Sequence, residues 1–444
     1  MTAFAERLQA LGMSALESRA KGELFERAIR SLPRTGSDRG PIRAYYVPGR
    51  IEVLGKHTDY AGGRSLLCAV ERGFCLVARA RAEAEVQITD SRSEITHVLP
   101  LDPELRIPET GWPTYPAAVV RRVARNFPCA RRGADIAFLS DLPAATGMSS
   151  SSAFVVAVFL ALSDINCLEA TAGYQQEIRT PQDLAGYLGT VENGESFGSL
   201  LGDRGVGTFG GSEDHTAILC SQAGNLKQYS FCPIRHERTV AMPADYRFAL
   251  SMSGVRAEKT GAARDKYNRA ALAARKILEI WTSATGRRDP SLAAAVQPAN
   301  AVDLIRDVVA RSSDPSFPAG LLLHRFEQFL TESTVIIPAA GNALAAGDLE
   351  RFGTLVDQSQ QAAERLLENQ VPETIVLARL ARDLGAVASS AFGAGFGGAV
   401  WALIHDSQAQ AFIERWMASY RHNFPEAAPA RFFATCAGPA AIKL

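Results

Sequence analysis

The 444-residue sequence predicts an α+β fold in two domains, and three observations predict it. The chain is longer than one typical hydrophobic core supports. Strand-like and helix-like segments mix in both halves, without the regular alternation of a doubly wound sheet. The pattern changes near Pro243 and becomes mostly helical, which sets the expected domains at residues 1–242 and 243–444.

In chain order, the first thirty residues place apolar side chains at helical spacing among charges, as an amphipathic helix does. Ile42–Val70 reads as strand, turn, strand, with further separate strands at Cys75–Arg79 and Glu85–Thr89. A helix is expected over Tyr115–Asn126 and a strand over Ala134–Leu139. The Ser-rich segment Asp141–Ala153 then opens a long apolar helix, Ala153–Leu162. Asp183–Asn193 is a further helix, followed by a Gly-rich stretch at Gly194–Gly211. Ala217–Cys220 and Leu226–Phe231 pair as an expected hairpin turned at Ala223-Gly224-Asn225. Phe248–Met252 is a strand. Helices occupy Ala262–Leu384, broken near Arg287–Pro298 and Ser312–Gly320. A Gly-rich turn, a strand at Val400–Ile404, a helix at Gln408–Tyr420 and a strand at Arg431–Thr435 close the chain.

Composition narrows the function. Lys+Arg and Asp+Glu balance at 47 each, which argues against a nucleic-acid partner, because such partners demand a basic face. No apolar run is long enough to span a membrane, and the N-terminus lacks the pattern of a secretory signal. The expected location is the cytoplasm. The seven cysteines are scattered and never form C-x-x-C, so reduced, mostly buried thiols are expected, with no zinc site.

Three segments combine residue types that phosphoryl transfer needs: a phosphate cradle, a divalent cation, a cationic stabiliser and an oriented nucleophile. Leu142–Phe154, LPAATGMSSSSAF, places small residues and Gly147 before four serines and a helix. Small residues let backbone N–H groups approach an anion, and the helix N-terminus favours its charge. Simple helix capping would need one serine, not four. Pro48–Gly63, PGRIEVLGKHTDYAGG, gathers Arg50, Glu52, Lys56, His57 and Asp59 in a strand-turn region, and could equally be a solvated turn. Ser389–Ile404 contains Gly393, Gly395, Gly397 and Gly398, which permit close approach to a ligand or simply a tight turn. A strand-like run follows, so this is not a dinucleotide fingerprint. Gly210–Leu219 adds Glu213, Asp214 and His215, a carboxylate pair suited to orienting a hydroxyl or to nothing beyond solvation.

Taken together and in this order, these segments resemble the GHMP kinase superfamily, and within it the galactokinases. Their signature, roughly P-G-R-x-N-L-I-G-E-H-T-D-Y-x-G-G, is similar to PGRIEVLGKHTDYAGG. LPAATGMSSSSA resembles their phosphate loop L-P-x-G-x-G-L-S-S-S-A, and GAGFGG their G-x-G-F-G-G. GWPTY, DKYNRA and GDLERFGTLVDQSQ match further family segments, so the likeness runs from about Tyr45 to the C-terminus. It implies two α+β domains with the active site in the cleft between them, a small-molecule sugar and ATP as partners, and Mg²⁺.

The resemblance also implies roles. Arg50 and Asp214 would be catalytic, Arg50 stabilising the transferring phosphoryl group and Asp214 taking or orienting the C1 hydroxyl. Lys56, His57, Asp59, Gly211 and Tyr267 would bind the sugar. Trp112, Thr146, Gly147, Met148, Ser149, Ser150, Ser151 and Ser152 would bind ATP, with Ser151 and Glu192 holding the metal.

Four positions depart from the pattern. Lys56 stands where galactokinases have a Glu facing the sugar. An ammonium only donates hydrogen bonds, so Lys56 suggests a uronic acid acceptor, unless it points elsewhere. Glu52 replaces an Asn, and Glu213 and His215 replace Met and Gln beside Asp214. The competing expectations are a sugar 1-kinase, a kinase of another alcohol, and a silent sugar sensor on the same scaffold.

Overall fold

The structure is a computed structural model and describes residues 2–33, 40–143, 147–255, 262–426 and 430–444. The amphipathic N-terminus is two helices, α1 (Ala3–Ala10) and α2 (Ala15–Ser31), interrupted at Leu11-Gly12. There follow β1 (Arg43–Leu54), β2 (Arg64–Ala80), β3 (Glu85–Asp90), β4 (Ile95–Pro100), α3 (Thr114–Asn126) and β5 (Ala134–Ser140). Next come α4 (Ser150–Asn166), α5 (Ala172–Glu177), α6 (Pro181–Asn193), α7 (Glu213–Cys220), β6 (Asn225–Ser230), β7 (Arg235–Ala241) and β8 (Tyr246–Met252).

The helical region is α8 (Ala262–Thr285), α9 (Leu292–Ala295), α10 (Ala301–Ala310), α11 (Ala319–Thr331), α12 (Ile337–Ala345), α13 (Leu349–Ala362) and α14 (Pro372–Asp383). Wide π-type turns, Glu332–Ile336 and Ala363–Leu367, extend α11 and α13. β9 (Ala388–Phe392), β10 (Ala399–His405), α15 (Ala409–Asn423), β11 (Arg431–Thr435), β12 (Ala437–Gly438) and β13 (Ile442–Lys443) complete the chain.

Two sheets organise these elements. The first runs β13-β1-β2-β5-β3-β4, with β12 and the β6–β7 hairpin also joined to β2. Its β3–β5 pair is parallel and its other pairs are antiparallel. The second is antiparallel in the order β11-β8-β10-β9. Thus β7 ends in the first sheet at Ala241 and β8 opens the second at Tyr246. The last residues, through Ala437↔Val70 and Tyr45↔Lys443, return to the first.

Helix α4 is apolar on every face because it is buried on every face, packing against β1, β2 and α3. Helices α8, α10 and α11 build a separate core of Ile277, Trp281, Ile305, Leu322 and Phe326, which touches the sugar-signature turn at Ala61.

Three expectations need correction. The predicted strand at Ala217–Cys220 is the end of helix α7, and the hairpin lies one step on, between β6 and β7. A four-residue apolar run does not distinguish the two periods. Cys75–Arg79 is not a separate strand but the continuation of β2. Glu71 sits buried in the middle of this strand, accepting the N–H groups of Ser14 at 2.6 Å and Cys436 at 3.3 Å. The cysteines are free, but Cys129, Cys167 and Cys232 are exposed, so burial holds for fewer of them than expected.

Candidate active site

Strand alternation puts Arg50 and Glu52 on one face of β1, and both line a pocket with His57, Asp59, Asp214 and Tyr267. Gly49 lets the serine loop dock there, because a Cβ at Gly49 would lie 2.8 Å from Met148 O. Arg50 N–H donates to Met148 O at 3.4 Å, and the Arg50 guanidinium also bonds Gly147 O. Its Nε donates to Asp214 Oδ1 at 2.8 Å. Burial alone would weaken the Arg50 charge, but Asp214 and Glu52 outweigh it and raise its pKa.

Asp214 sits in the first turn of α7, and Ser152 Oγ donates to its second oxygen at 3.4 Å. The cation, the candidate base and the serine loop therefore meet at one place. Ser149 takes a left-handed conformation (φ 56°), and α4 begins at the next residue. This aims the helix N-terminus at the loop, where an anion is favoured. Ser149 Oγ is buried without a hydrogen-bond partner among the described residues. Ser150 and Ser151 are half-buried in the first helical turn, and Ser152 is the serine that reaches the pocket wall. Thr146 lies outside the described residues. Trp112 does not line this pocket; it packs against Phe138 and Phe154 with ring centroids 5.5 and 5.8 Å away.

Asp59 Oδ2 accepts the Glu213 N–H at 3.1 Å and so caps α7. Gly211 is required beside it, since a Cβ there would fall 2.3 Å from that oxygen. His57 bonds Tyr60 OH at 2.9 Å and Ala394 O at 3.0 Å, and its ring lies 5.2 Å from that of Tyr267. Burial, with Asp59 nearby, pushes the Tyr267 phenol well above its ordinary range. Glu192 lines the pocket with His215, whose Nε2 lies 3.2 Å from Glu192 Oε1.

Lys56 is not where the uronate expectation needs it. Lys56 is 1% exposed and lies outside the pocket lining, and its ammonium donates to Ser390 Oγ at 2.8 Å and Ser359 Oγ at 3.2 Å. Ser359 in turn donates to Glu332 Oε1 at 2.9 Å, which also accepts the Gly55 N–H. This sealed cluster takes Lys56 away from the acceptor, and the geometry gives a uronic acid no cation at that position.

Three of the departures from the family pattern, Glu52, Glu213 and His215, line the pocket. Glu52 Oε2 accepts the Gly393 N–H at 3.2 Å, which joins the Gly-rich β9–β10 turn to the pocket. Burial pushes the Glu52 carboxyl up to about 7, against the lowering pull of Arg50 and Lys56. Glu213 accepts from Ser65 Oγ at 2.6 Å, and burial, then Glu52 and Asp59, raise its pKa further. Glu332, Ser359 and Ser390 were missed. The hints in the sequence were that Ser359 falls in the GDLERFGTLVDQSQ segment and Ser390 in the Gly-rich Ser389–Ile404 segment.

Known proteins resemble this chain in sequence and in fold. Family models match at residues 34–80 (galactokinase galactose-binding signature), 114–196 (GHMP kinases N terminal domain) and 342–422 (GHMP kinases C terminal). Curated galactokinases of Chloroflexus aurantiacus and Chloroflexus aggregans are 29% and 28% identical, each match covering 86% of this chain and 88% of the relative. The solved Lactococcus lactis galactokinase complexed with galactose shares the fold at a TM-score of 0.76 and 22% identity, over 95% of this chain and 98% of that one. The L. major mevalonate kinase in complex with R-mevalonate aligns at 0.53 and 15% identity, over 91% and 100%.

Proposed function

The chain belongs to the GHMP kinase superfamily and has its two-domain α+β fold, and from that premise we propose a cytoplasmic sugar kinase of galactokinase type. It transfers the γ-phosphoryl group of ATP to the C1 hydroxyl of galactose or a close relative. The observation that carries this reading is the Arg50–Asp214 pair, bonded at 2.8 Å and touching the serine loop through Ser152 and Gly147.

The C1 oxygen attacks the γ-phosphorus while its proton passes to the Asp214 carboxylate. The bond from phosphorus to the bridging oxygen breaks, and its electron pair leaves on ADP. Arg50 faces the charge that builds on the transferring group, and such preorganised charge is usually the largest catalytic contribution. His57, Asp59 and Tyr267 hold the sugar, and the N-terminus of α4 holds phosphate.

Hard oxygen donors suit Mg²⁺, and the pocket-lining Glu192 carboxylate is a donor of that kind. We assign Glu192 and Ser151 to hold the ion, which when bound neutralises charge on the phosphate oxygens.

The test is ATP consumption by the purified protein with Mg²⁺ and galactose, with the product identified by phosphorus NMR. A galactose 1-phosphate product is expected. Turnover of no monosaccharide, with ATP and sugar still bound, would overturn the kinase reading in favour of a sensor.

A further inference from the structure

We propose that Glu52 is a specificity-determining residue, whose carboxylate accepts a hydroxyl of an uncharged acceptor sugar and excludes sugar acids. The proposal rests on the sugar-kinase reading above. Three observations carry it.

The first is position. Glu52 is 3% exposed, yet it lines the pocket that contains Arg50 and Asp214. The second is its unfinished hydrogen bonding. Oε2 is pinned by the Gly393 N–H, whereas Oε1 receives no N–H or hydroxyl from the described residues. In its ionised form the Glu52 carboxylate can only accept, and a buried acceptor left without a donor is costly, so a sugar hydroxyl is a complement for that form. The neighbouring Glu213 carboxyl cannot substitute for a sugar hydroxyl in every state. Its own Oε2 is taken by Ser65, and it bonds Glu52 only by sharing a proton.

The third is charge. Among the described residues lining the pocket, Arg50 is the one Lys or Arg, and it is already engaged by Asp214 and Gly147 O. Carboxyl groups of Glu52, Asp59, Glu192, Glu213 and Asp214 surround it. A sugar carboxylate placed here meets like charge in a poorly solvated site, and Lys56 is committed elsewhere. The cation that looked like a carboxylate reader thus faces two serines, and the reader on the pocket wall is a carboxylate.

The experiment measures kcat and KM for galactose and galacturonate at saturating ATP and Mg²⁺ in the wild type, Glu52→Gln and Lys56→Met. The wild type is expected to favour galactose by about 100-fold or more in kcat/KM. Glu52→Gln should raise the galactose KM about ten-fold, keep kcat and the ATP KM within about two-fold, and narrow the gap to galacturonate. Lys56→Met should leave that gap unchanged.

A Glu52→Gln enzyme with the wild-type galactose KM would overturn the proposal. So would one whose ATP KM rises as much as its sugar KM, since that marks a mere clamp on the Gly393 turn. Collapse of the gap in Lys56→Met would overturn it too. If Glu52→Gln fails to fold, Glu52→Asp keeps the charge on a shorter arm. It should raise the galactose KM yet still reject galacturonate, and acceptance of galacturonate would refute the assignment. A wild type that binds ATP but phosphorylates neither sugar refutes the kinase reading and this assignment together, an outcome distinct from all the others.

Discussion

Residues 50–59 feed two buried polar clusters that differ in what faces them. Arg50, Glu52 and Asp59 open onto the pocket, where Asp214 and Glu213 join them. Lys56, only a turn away, enters a closed cluster with Ser359, Ser390 and Glu332. In the pocket, charges crowd together, a hydrogen-bonding position on Glu52 stays open, and its carboxyl group is pushed up to about 7. In the closed cluster the ammonium is surrounded by hydroxyl acceptors. Access rather than completeness separates the two, since Glu332 Oε2 is also buried without a hydrogen-bond partner among the described residues: a cluster that lines the pocket suits a substrate, and one closed off from it suits a clamp. The clamp also secures the turn at Lys56–His57 to the second half of the chain. Gln328 donates to Lys56 O at 3.1 Å, and Arg325 bonds His57 O.

If this contrast is right, the largest effect belongs to the open cluster. Asp214→Asn should lower kcat by ~10²–10⁴-fold with sugar and ATP still bound. A change confined to KM in steady-state kinetics would remove Asp214 from the chemistry.

The closed cluster should respond in stability instead. Lys56→Met leaves the Ser359 and Ser390 hydroxyls without their donor and should cost about 1–3 kcal/mol in urea unfolding. Adding Glu332→Gln should recover part of that loss. No recovery would mean that Glu332 and Lys56 are not coupled through Ser359.

Gly211→Ala tests the pocket wall more gently. Its Cβ would fall 2.3 Å from Asp59 Oδ2, so that oxygen must move. A several-fold rise in sugar KM at constant ATP KM is expected, and an unchanged sugar KM would detach Asp59 from the acceptor.

The smallest effect is a pH slope. The folded Glu52 pKa, about 7, lies above the ordinary 4.5, so folding favours its protonated form. Its stabilising contribution is complete below pH 4.5 and is lost as pH rises toward about 7. Glu52→Gln should therefore flatten the fall in thermal midpoint across that window, and a slope identical to the wild type would show that Glu52 titrates normally.

Much of the architecture was legible because it is written in local patterns. The α3, α6 and α15 helices and the β5, β8, β10 and β11 strands fall close to where periodicity put them. The misplaced hairpin and the divided β2 came from runs too short to reveal their surroundings. Strand β9, which precedes the Gly-rich turn, was missed for a related reason. Its sequence, ASSAF, is small and polar, and it becomes a strand by pairing with β10.

The sequence by itself determined the order of the three motif segments and the superfamily they resemble, and that resemblance marked Arg50 and Asp214 as candidates. Residue type and spacing suffice for the segments, because glycines, serines and a turn signature act over a few neighbours. Only the tertiary structure decided where the long side chains go. Lys56 meets Ser359 and Ser390, which lie 303 and 334 positions away in the chain. Glu52 meets Gly393 across 341 positions. A four-carbon ammonium arm is flexible enough to serve either cluster, and burial beside acceptors from the far half of the molecule settled which one.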